Sequence, residues 1–172
     1  MSTHDEPVLG SEFEFELERA PQDPSLADRI RRLVQEQRFA VLCTQGQRQP
    51  YGSLVAFALS DDLSVAVFAT PMTTRKYRLL SECDRVALVV DNRGKQPDDM
   101  MKVEAITATG QATQLKPSPE LDRWAETLTD RHPYLRSFVR APSTALFRID
   151  IVRYLYVTRF QEVRQWIPVS DG

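Results

Sequence analysis

The sequence contains few of the residues that hold metal ions or form disulfide bonds. Its 172 residues include two cysteines and two histidines. Cys43 and Cys83 lie within apolar patterns, without a CxxC pair or other metal-ligand spacing. This argues against a zinc site and favours reduced thiols in a cytosolic protein. His132 precedes a proline and is interpreted as a surface or turn residue, a catalytic base or haem ligand being the less favoured alternatives. We expect no metal centre.

Long apolar runs are also absent. Apolar runs such as residues 86–90 are far too short to cross a bilayer. Met1 is followed by polar and acidic residues, which is not the basic and then apolar pattern of a secretory signal. These absences predict a cytoplasmic protein that does not contact membranes.

The chain lacks the dense basic runs that are typical of nucleic-acid-binding segments. The net charge is −2, and residues 1–24 hold seven acids and one base. Residues 25–172 hold 17 acids and 21 bases, scattered along the chain. This distribution disfavours a nucleic-acid partner and is compatible with a small anionic ligand.

Residues 1–24 are predicted to form an acidic arm, and residues 25–168 a single folded domain. In the arm, Phe13, Phe15 and Leu17 alternate with glutamates, a period of two that is typical of a half-exposed strand. The arm is either an edge strand or loose arm solubilised by its glutamates, or a segment that packs its apolar side on a second subunit.

The rest of the chain predicts mostly strands, joined by turns too short for parallel crossovers. Gly110 is expected to mark a bend or bulge in strand 101–115, and Arg153 either a bend or bulge in 144–158 or a break into two strands. Residues 92–99 form a polar loop that is either mobile or ligand-covering. The fold class is therefore mainly β, a six- to seven-stranded antiparallel barrel with peripheral α-helices. The predicted strands are 39–45, 51–60, 63–70, 85–91, 101–115 and 144–158, and the predicted helices are 25–37, 74–82 and 118–129, with a short helical turn within 131–142.

One junction carries residues suited to a phosphate. The strand 63–70 ends at Thr70, and Thr74, Arg75 and Lys76 follow at the start of a helix. Hydroxyl groups, free backbone N–H groups and two positive charges at a helix start suit a phosphate-bearing ligand. Solvated charges on an amphipathic helix are the alternative interpretation.

The order of elements between residues 39 and 92 is specific enough to compare with a known family. It contains a strand, a glycine turn, PYGSLVAFA, an acidic turn, a strand ending in FATP, TTRK at a helix start, and the strand RVALVVDN. In this order the chain resembles the FMN-binding split-barrel family related to pyridoxamine 5′-phosphate oxidase. The likeness continues more weakly through 101–116 and 145–160. It implies a Greek-key split barrel and a homodimer with FMN at the subunit interface.

By position, the resemblance also implies which residues contact FMN, while no catalytic residue is assigned. The contacts fall into groups for the ring, the ribityl chain, the phosphate and the partner's flavin. Ser53, Leu54, Val55 and Ala56 would lie along the isoalloxazine ring, Ala69 and Thr70 at the ribityl chain or ring edge, Thr74, Arg75 and Lys76 at the phosphate, and Asn92 near the flavin of a partner subunit.

The sequence departs from the oxidase itself in two regions. The oxidase's C-terminal segment, a Trp followed by spaced arginines and an acid, has no counterpart beyond Trp166. Its substrate-phosphate cluster has none in 101–142. We therefore expect an FMN-dependent oxidoreductase acting on an unassigned small molecule. A non-catalytic flavin- or haem-binding protein of the haem-utilisation type is the alternative, and a barrel interaction domain without a cofactor is a third.

Overall fold

The computed structural model describes residues 24–159 and 162–169. The arm predicted for 1–24 falls outside these residues except for Pro24, so its strand stays a prediction. The described strands are β1 (Phe39–Gly46), β2 (Gln49–Leu59), β3 (Val65–Pro71), β4 (Arg85–Asp91), β5 (Ala105–Gln114), β6 (Thr144–Thr158) and β7 (Glu162–Trp166). The described helices are α1 (Pro24–Glu36), α2 (Arg75–Glu82), α3 (Pro119–Arg131) and α4 (Arg136–Val139), with 3₁₀ turns at Arg93–Lys95, Met100–Lys102 and Pro133–Leu135.

Six strands close into an antiparallel barrel. The sheet order is β3-β2-β1-β4-β5-β6-β7, and β3 also pairs with β6. The strands β1, β2 and β3 follow one another as neighbours, and β4 returns beside β1, which is the Greek-key arrangement. β7 extends the sheet outside the closed barrel by pairing with the second half of β6. The mainly β, six- to seven-stranded antiparallel fold is therefore confirmed.

Alternate side chains of the strands fill the barrel, and two helices cover its ends. Large inward side chains such as Leu42, Phe57 and Phe68 are at most 1% exposed. α1 lies at one end, where its stripe of Leu26, Ile30, Leu33 and Val34 joins the same core cluster. α2 lies at the other end, where Tyr77 and Leu80 join the cluster. Burial of this size is the main stabilising contribution in a domain of this length.

α3 and α4 cover part of the outer face of the barrel. Trp124, Leu128 and Val139 pack on Val67 of β3 and Leu146 of β6. These outward-facing strand positions are apolar because a helix pair lies over them, which explains why strands 51–60 and 63–70 look apolar on both faces.

Gly110 is required by a close approach between β5 and β6. A Cβ at this position would lie 2.2 Å from the carbonyl oxygen of Asp150. The register shifts here, since Thr109 faces Arg153 whereas Gly110 faces Ile151. The extra residue, Val152, forms the bulge expected at Gly110 and Arg153, so that prediction is confirmed.

The turn between β1 and β2 differs from the expected glycine-centred turn. Gln47 and Arg48 occupy it with φ values of 51° and 62°, as a two-residue hairpin of the type I′ family requires. Gly46 ends β1 instead, and a Cβ there would lie 2.5 Å from Leu79 Cδ2. This glycine therefore lets α2 pack against the end of β1.

Some sequence boundaries were wrong. The strand predicted for 101–115 begins at Ala105, because Met100–Lys102 forms a 3₁₀ turn. Leu63 does not belong to β3, because its φ of 63° places it in the preceding turn. β7 was not predicted, since its alternation of apolar and polar residues is weak.

The interpretation of His132 as a surface residue was wrong. Its side chain is 0% exposed, and its Nε2 atom lies 2.9 Å from the carbonyl oxygen of Phe57.

Candidate functional site

A threonine network fixes the junction between β3 and α2. The Thr74 hydroxyl accepts a hydrogen bond from Tyr77 N at 3.2 Å and donates to Pro71 O at 2.9 Å. The buried Thr70 hydroxyl lies 2.9 Å from the same Thr74 oxygen. The cap satisfies the N–H of Tyr77, whereas the N–H groups of Arg75 and Lys76 have no intrahelical acceptor because they lie in the first turn. The helix therefore presents two backbone donors and the positive end of its dipole in front of it.

Arg75 and Lys76 lie at this helix start, and neither forms a salt bridge with a described residue. The Arg75 guanidinium lies 4.9 Å from the centroid of the Tyr51 ring. Lys76 Nζ donates to Leu54 O at 3.4 Å, and burial lowers the pKa of this ammonium group. The first turn of α2 contains no carboxylate. An anion bound here would stabilise the charged form of Lys76.

β2 leaves a backbone edge unpaired next to these cations. On one side β2 pairs with β1 along residues 49–56, whereas on the other side its register with β3 covers Phe57–Leu59. The carbonyl oxygen of Leu54 points to the open side, because Lys76 reaches it there. The N–H and C=O of one strand residue point the same way, so Leu54 also offers a donor. The barrel is split between β2 and α2, and a planar polar ligand can bond along this edge.

The residues predicted for the ring are distributed over both faces of β2. Val55 is 5% exposed in the core, so only its backbone is available to a ligand. Ser53 Oγ is buried and makes no hydrogen bond within the structure as described, so this hydroxyl retains capacity for a partner. Leu54 is 67% exposed on the outer face, and Ala56 is half-buried there. Among the ten predicted contacts, Thr70 bonds to Thr74 at the helix start, and Lys76 joins this junction to Leu54 of β2.

Ala69 and Asn92 lie apart from this group. Ala69 packs against the cluster beneath α3 and α4. Asn92 lies at the opposite barrel end, where its Nδ2 donates to Glu104 Oε2 at 3.3 Å and its Oδ1 accepts from Glu104 N at 2.8 Å. Asn92 thus joins the end of β4 to the start of β5 in its own chain. Its contact with the flavin of a partner subunit stays a prediction.

Sequence reasoning missed two parts of this site. The contact of Arg75 with the Tyr51 ring was not predicted. The open edge of β2 was not foreseen, because it depends on how far β3 pairs along its neighbour. Neither feature has a local sequence signal, since both join segments about twenty residues apart.

Residues 24–159 and 162–169 contain neither a candidate metal site nor a candidate membrane-spanning helix. No group there of three or more His, Cys, Asp or Glu side chains could hold a metal ion. No helix in these ranges combines the length and the hydropathy that crossing a bilayer requires.

A Greek-key barrel with an open edge beside a cationic helix start defines a split barrel. The family model for pyridoxamine 5′-phosphate oxidase matches residues 26–158. The chain belongs to the pyridoxamine 5′-phosphate oxidase family. No curated protein matches its sequence.

Solved structures share the fold at low sequence identity. A haem-binding protein from Mycobacterium smegmatis has a TM-score of 0.74 at 16% identity, over 84% of this chain and 59% of that one. A FAD-binding protein from Mesorhizobium loti has a TM-score of 0.62 at 18% identity, over 76% and 90%. A Clostridium acetobutylicum protein related to general stress protein 26 has a TM-score of 0.66 at 14% identity, over 84% and 96%. These likenesses establish the fold alone, and this chain spans 59% of the length of the mycobacterial protein.

Proposed function

We propose that the protein binds FMN at the split between β2 and α2 and acts as an FMN-dependent oxidoreductase on a small molecule that is still unassigned. One observation carries this proposal. The half-buried Lys76 and the neighbouring Arg75 lie at a helix start that has free N–H groups and no carboxylate in its first turn. A phosphate monoester would supply the acceptors and the negative charge that this corner lacks.

The neighbouring residues also fit the rest of FMN. The Leu54 backbone offers a donor and an acceptor at the open edge of β2, which suits the polar edge of a flavin ring. The buried Ser53 hydroxyl has no partner among the described residues and can take one from the ligand. Bound FMN supplies one- and two-electron transfer, while the protein supplies placement and electrostatics. Thr74, Arg75 and Lys76 would hold the phosphate.

The proposal includes a homodimer, because the outer face beside the split is apolar and lacks a covering helix among the described elements. Phe39 and Leu54 are 50% and 67% exposed on this face. The registers Phe39↔Ala56, Val41↔Leu54 and Val41↔Val89 join these side chains into one surface across β2, β1 and β4. A second copy covering this surface would place each FMN at the subunit interface.

Arg153 supports a partner on the same side of the sheet. It lies on β6 opposite Thr109 and is 5% exposed. Its Nε makes no hydrogen bond to a described residue, and Arg153 forms no ion pair within residues 24–159 and 162–169. A buried guanidinium nitrogen without an acceptor is costly. We infer that the second copy provides the acceptor.

The visible spectrum of the purified protein tests the proposal. We expect flavin absorption with one FMN per chain, which bleaches when a nicotinamide donor is added without oxygen. A colourless protein that takes up no added FMN would contradict flavin binding. Bound flavin that no donor reduces would leave a flavin-binding protein without the enzymatic role.

Haem binding is a second candidate, favoured by the likeness to the mycobacterial haem-binding protein. Addition of haem would then produce a Soret band with saturable stoichiometry. Competition between haem and FMN would show whether both use the split. A protein that binds FMN and gives no saturable haem spectrum would exclude this candidate.

A further inference from the structure

A cavity of about 680 Å³ opens at the barrel end opposite α2. Arg29 of α1 forms one wall, residues within 96–104 between β4 and β5 form the second, and residues 158, 159, 162 and 164 of β6 and β7 and the position after β6 form the third. Cavities of this volume hold small organic ligands in many proteins. None of the residues assigned above to the FMN phosphate lines it.

The charge of the cavity wall favours an anion. Its charged side chains are four cations, Arg29, Lys102, Arg159 and Arg164, and two carboxylates, Glu104 and Glu162. Glu162 lies 3.4 Å from Arg159, and Lys102 lies 3.1 Å from Asp99, in exposed pairs. Such pairs contribute little free energy and reorganise readily, so both cations remain available to a ligand.

The other carboxylate is already occupied by donors of the protein. Glu104 accepts hydrogen bonds from the hydroxyl of Tyr156, from Arg32 at 3.2 Å and from Asn92 at 3.3 Å. The ring of Tyr156 also positions Arg164, whose guanidinium lies 5.8 Å from the ring centroid. Glu104 is therefore hydrogen-bonded to three side chains of the protein, with Arg164 beside the ring of Tyr156.

The rim adds an apolar component. Met101 is 58% exposed at the cavity, and Val103 lines it. We propose that this cavity binds a small organic anion, a carboxylate or phosphate that carries an apolar group. Its cationic side chains bind the charged group, and Met101 and Val103 contact the apolar part. The proposal does not depend on FMN binding at α2.

Amide chemical shifts of the full chain test this site with three probes. Phenyl phosphate carries both features, inorganic phosphate carries only the charge, and benzyl alcohol carries only the ring. We expect phenyl phosphate to shift the amides of residues 96–104 and of 158, 159, 162 and 164, and to bind about tenfold more tightly than either partial probe. Its affinity should fall as salt is added.

Matched variants separate the cavity from general charge effects. Arg159→Gln with Arg164→Gln should weaken phenyl phosphate binding about tenfold or more, whereas Arg136→Gln with Arg140→Gln, which removes two exposed charges elsewhere, should not. Glu162→Gln should strengthen binding, a gain that unfolding could not produce. Arg75→Gln with Lys76→Gln should leave binding at the cavity intact even where FMN binding is lost.

Three results would overturn the proposal. The shifts could fall at residues 73–77 and disappear in the Arg75→Gln, Lys76→Gln variant, which would place the probe at α2. The three probes could bind equally weakly. The Arg159→Gln, Arg164→Gln variant, shown by circular dichroism to be folded, could retain full affinity.

Discussion

Lys76 and Arg75 are basic residues placed at a helix start without a carboxylate that balances them. If they bind the FMN phosphate, replacing both with Gln removes charge-assisted hydrogen bonds and should weaken FMN binding by about 100-fold. Fluorescence titration with FMN measures this loss. The Arg136→Gln, Arg140→Gln variant is the control for charge. Unchanged FMN affinity in folded Arg75→Gln, Lys76→Gln protein would refute the phosphate assignment.

The buried His132 side chain should make the stability of the protein depend on pH. Burial lowers its pKa below the usual 6.5, the bond to Phe57 O opposes this effect, and the charges of Arg131 and Arg38 add to it. The unfolded chain therefore takes up the proton more readily than the folded one. The free energy of unfolding should be at its full value above pH 6.5 and should fall as the pH drops through the lowered pKa of the folded state.

Urea denaturation between pH 8 and pH 5 measures this dependence. His132→Gln keeps an amide donor for Phe57 O but does not titrate, so its stability should change less over the same range. If the free energy of unfolding fell equally with pH in the unaltered protein and in His132→Gln, the acid sensitivity would belong to other groups.

At the scale of elements, apolar patterns predicted six strands because the barrel buries one face of each and the helix pair α3–α4 covers part of the other face. The prediction failed where the burial of a residue depends on contacts with segments that are distant in the sequence. Residues 101–104 alternate like a strand but form a 3₁₀ turn and its exit. β7 carries Glu162, Val163 and Arg164 as exposed residues, so little apolar pattern marks it. His132 precedes a proline, a local turn signal that cannot show the tertiary contacts that bury it.

Gly110 provides a prediction about how two elements meet. Gly110→Ala would place a methyl group 2.2 Å from the Asp150 carbonyl oxygen, so the bulge between β5 and β6 must move. We expect a loss of about 1–3 kcal/mol in unfolding free energy. Gly52→Ala is the control, since its added Cβ meets Val41 Cγ1 at an ordinary 3.5 Å. Similar denaturation midpoints for the two variants would show that the backbone of β6 can move away from the added methyl group without loss of stability.

At the scale of the whole molecule, the uncovered outer face determines the expected assembly. Leu54→Glu places a charge in the centre of that face, and Arg153→Met removes the buried cation without touching the split. Sedimentation should show a dimer for the unaltered chain and weaker association for both variants. Val169→Glu, at a residue 68% exposed near the end of the described chain, is the control. A monomer at micromolar concentration in the unaltered protein would contradict the dimer.

The candidate site was predictable only in its local part. Thr74, Arg75 and Lys76 are adjacent in sequence, so their common position at a helix start follows from a capping residue and its neighbours. The contact of Arg75 with Tyr51 and the cavity between α1 and the β6–β7 hairpin join distant segments. Their geometry depends on barrel closure, which no local pattern encodes.

The open edge of β2 has a consequence for solubility. An unpaired strand edge is a template on which a strand of another chain can add. Here the exposed edge lies beside the apolar side chains of Leu54 and Phe39, a combination that favours aggregation. A ligand seated in the split would occupy the donors and acceptors that another strand could use. FMN would then also protect the fold, and light scattering at equal concentrations should show faster aggregation of the flavin-free protein.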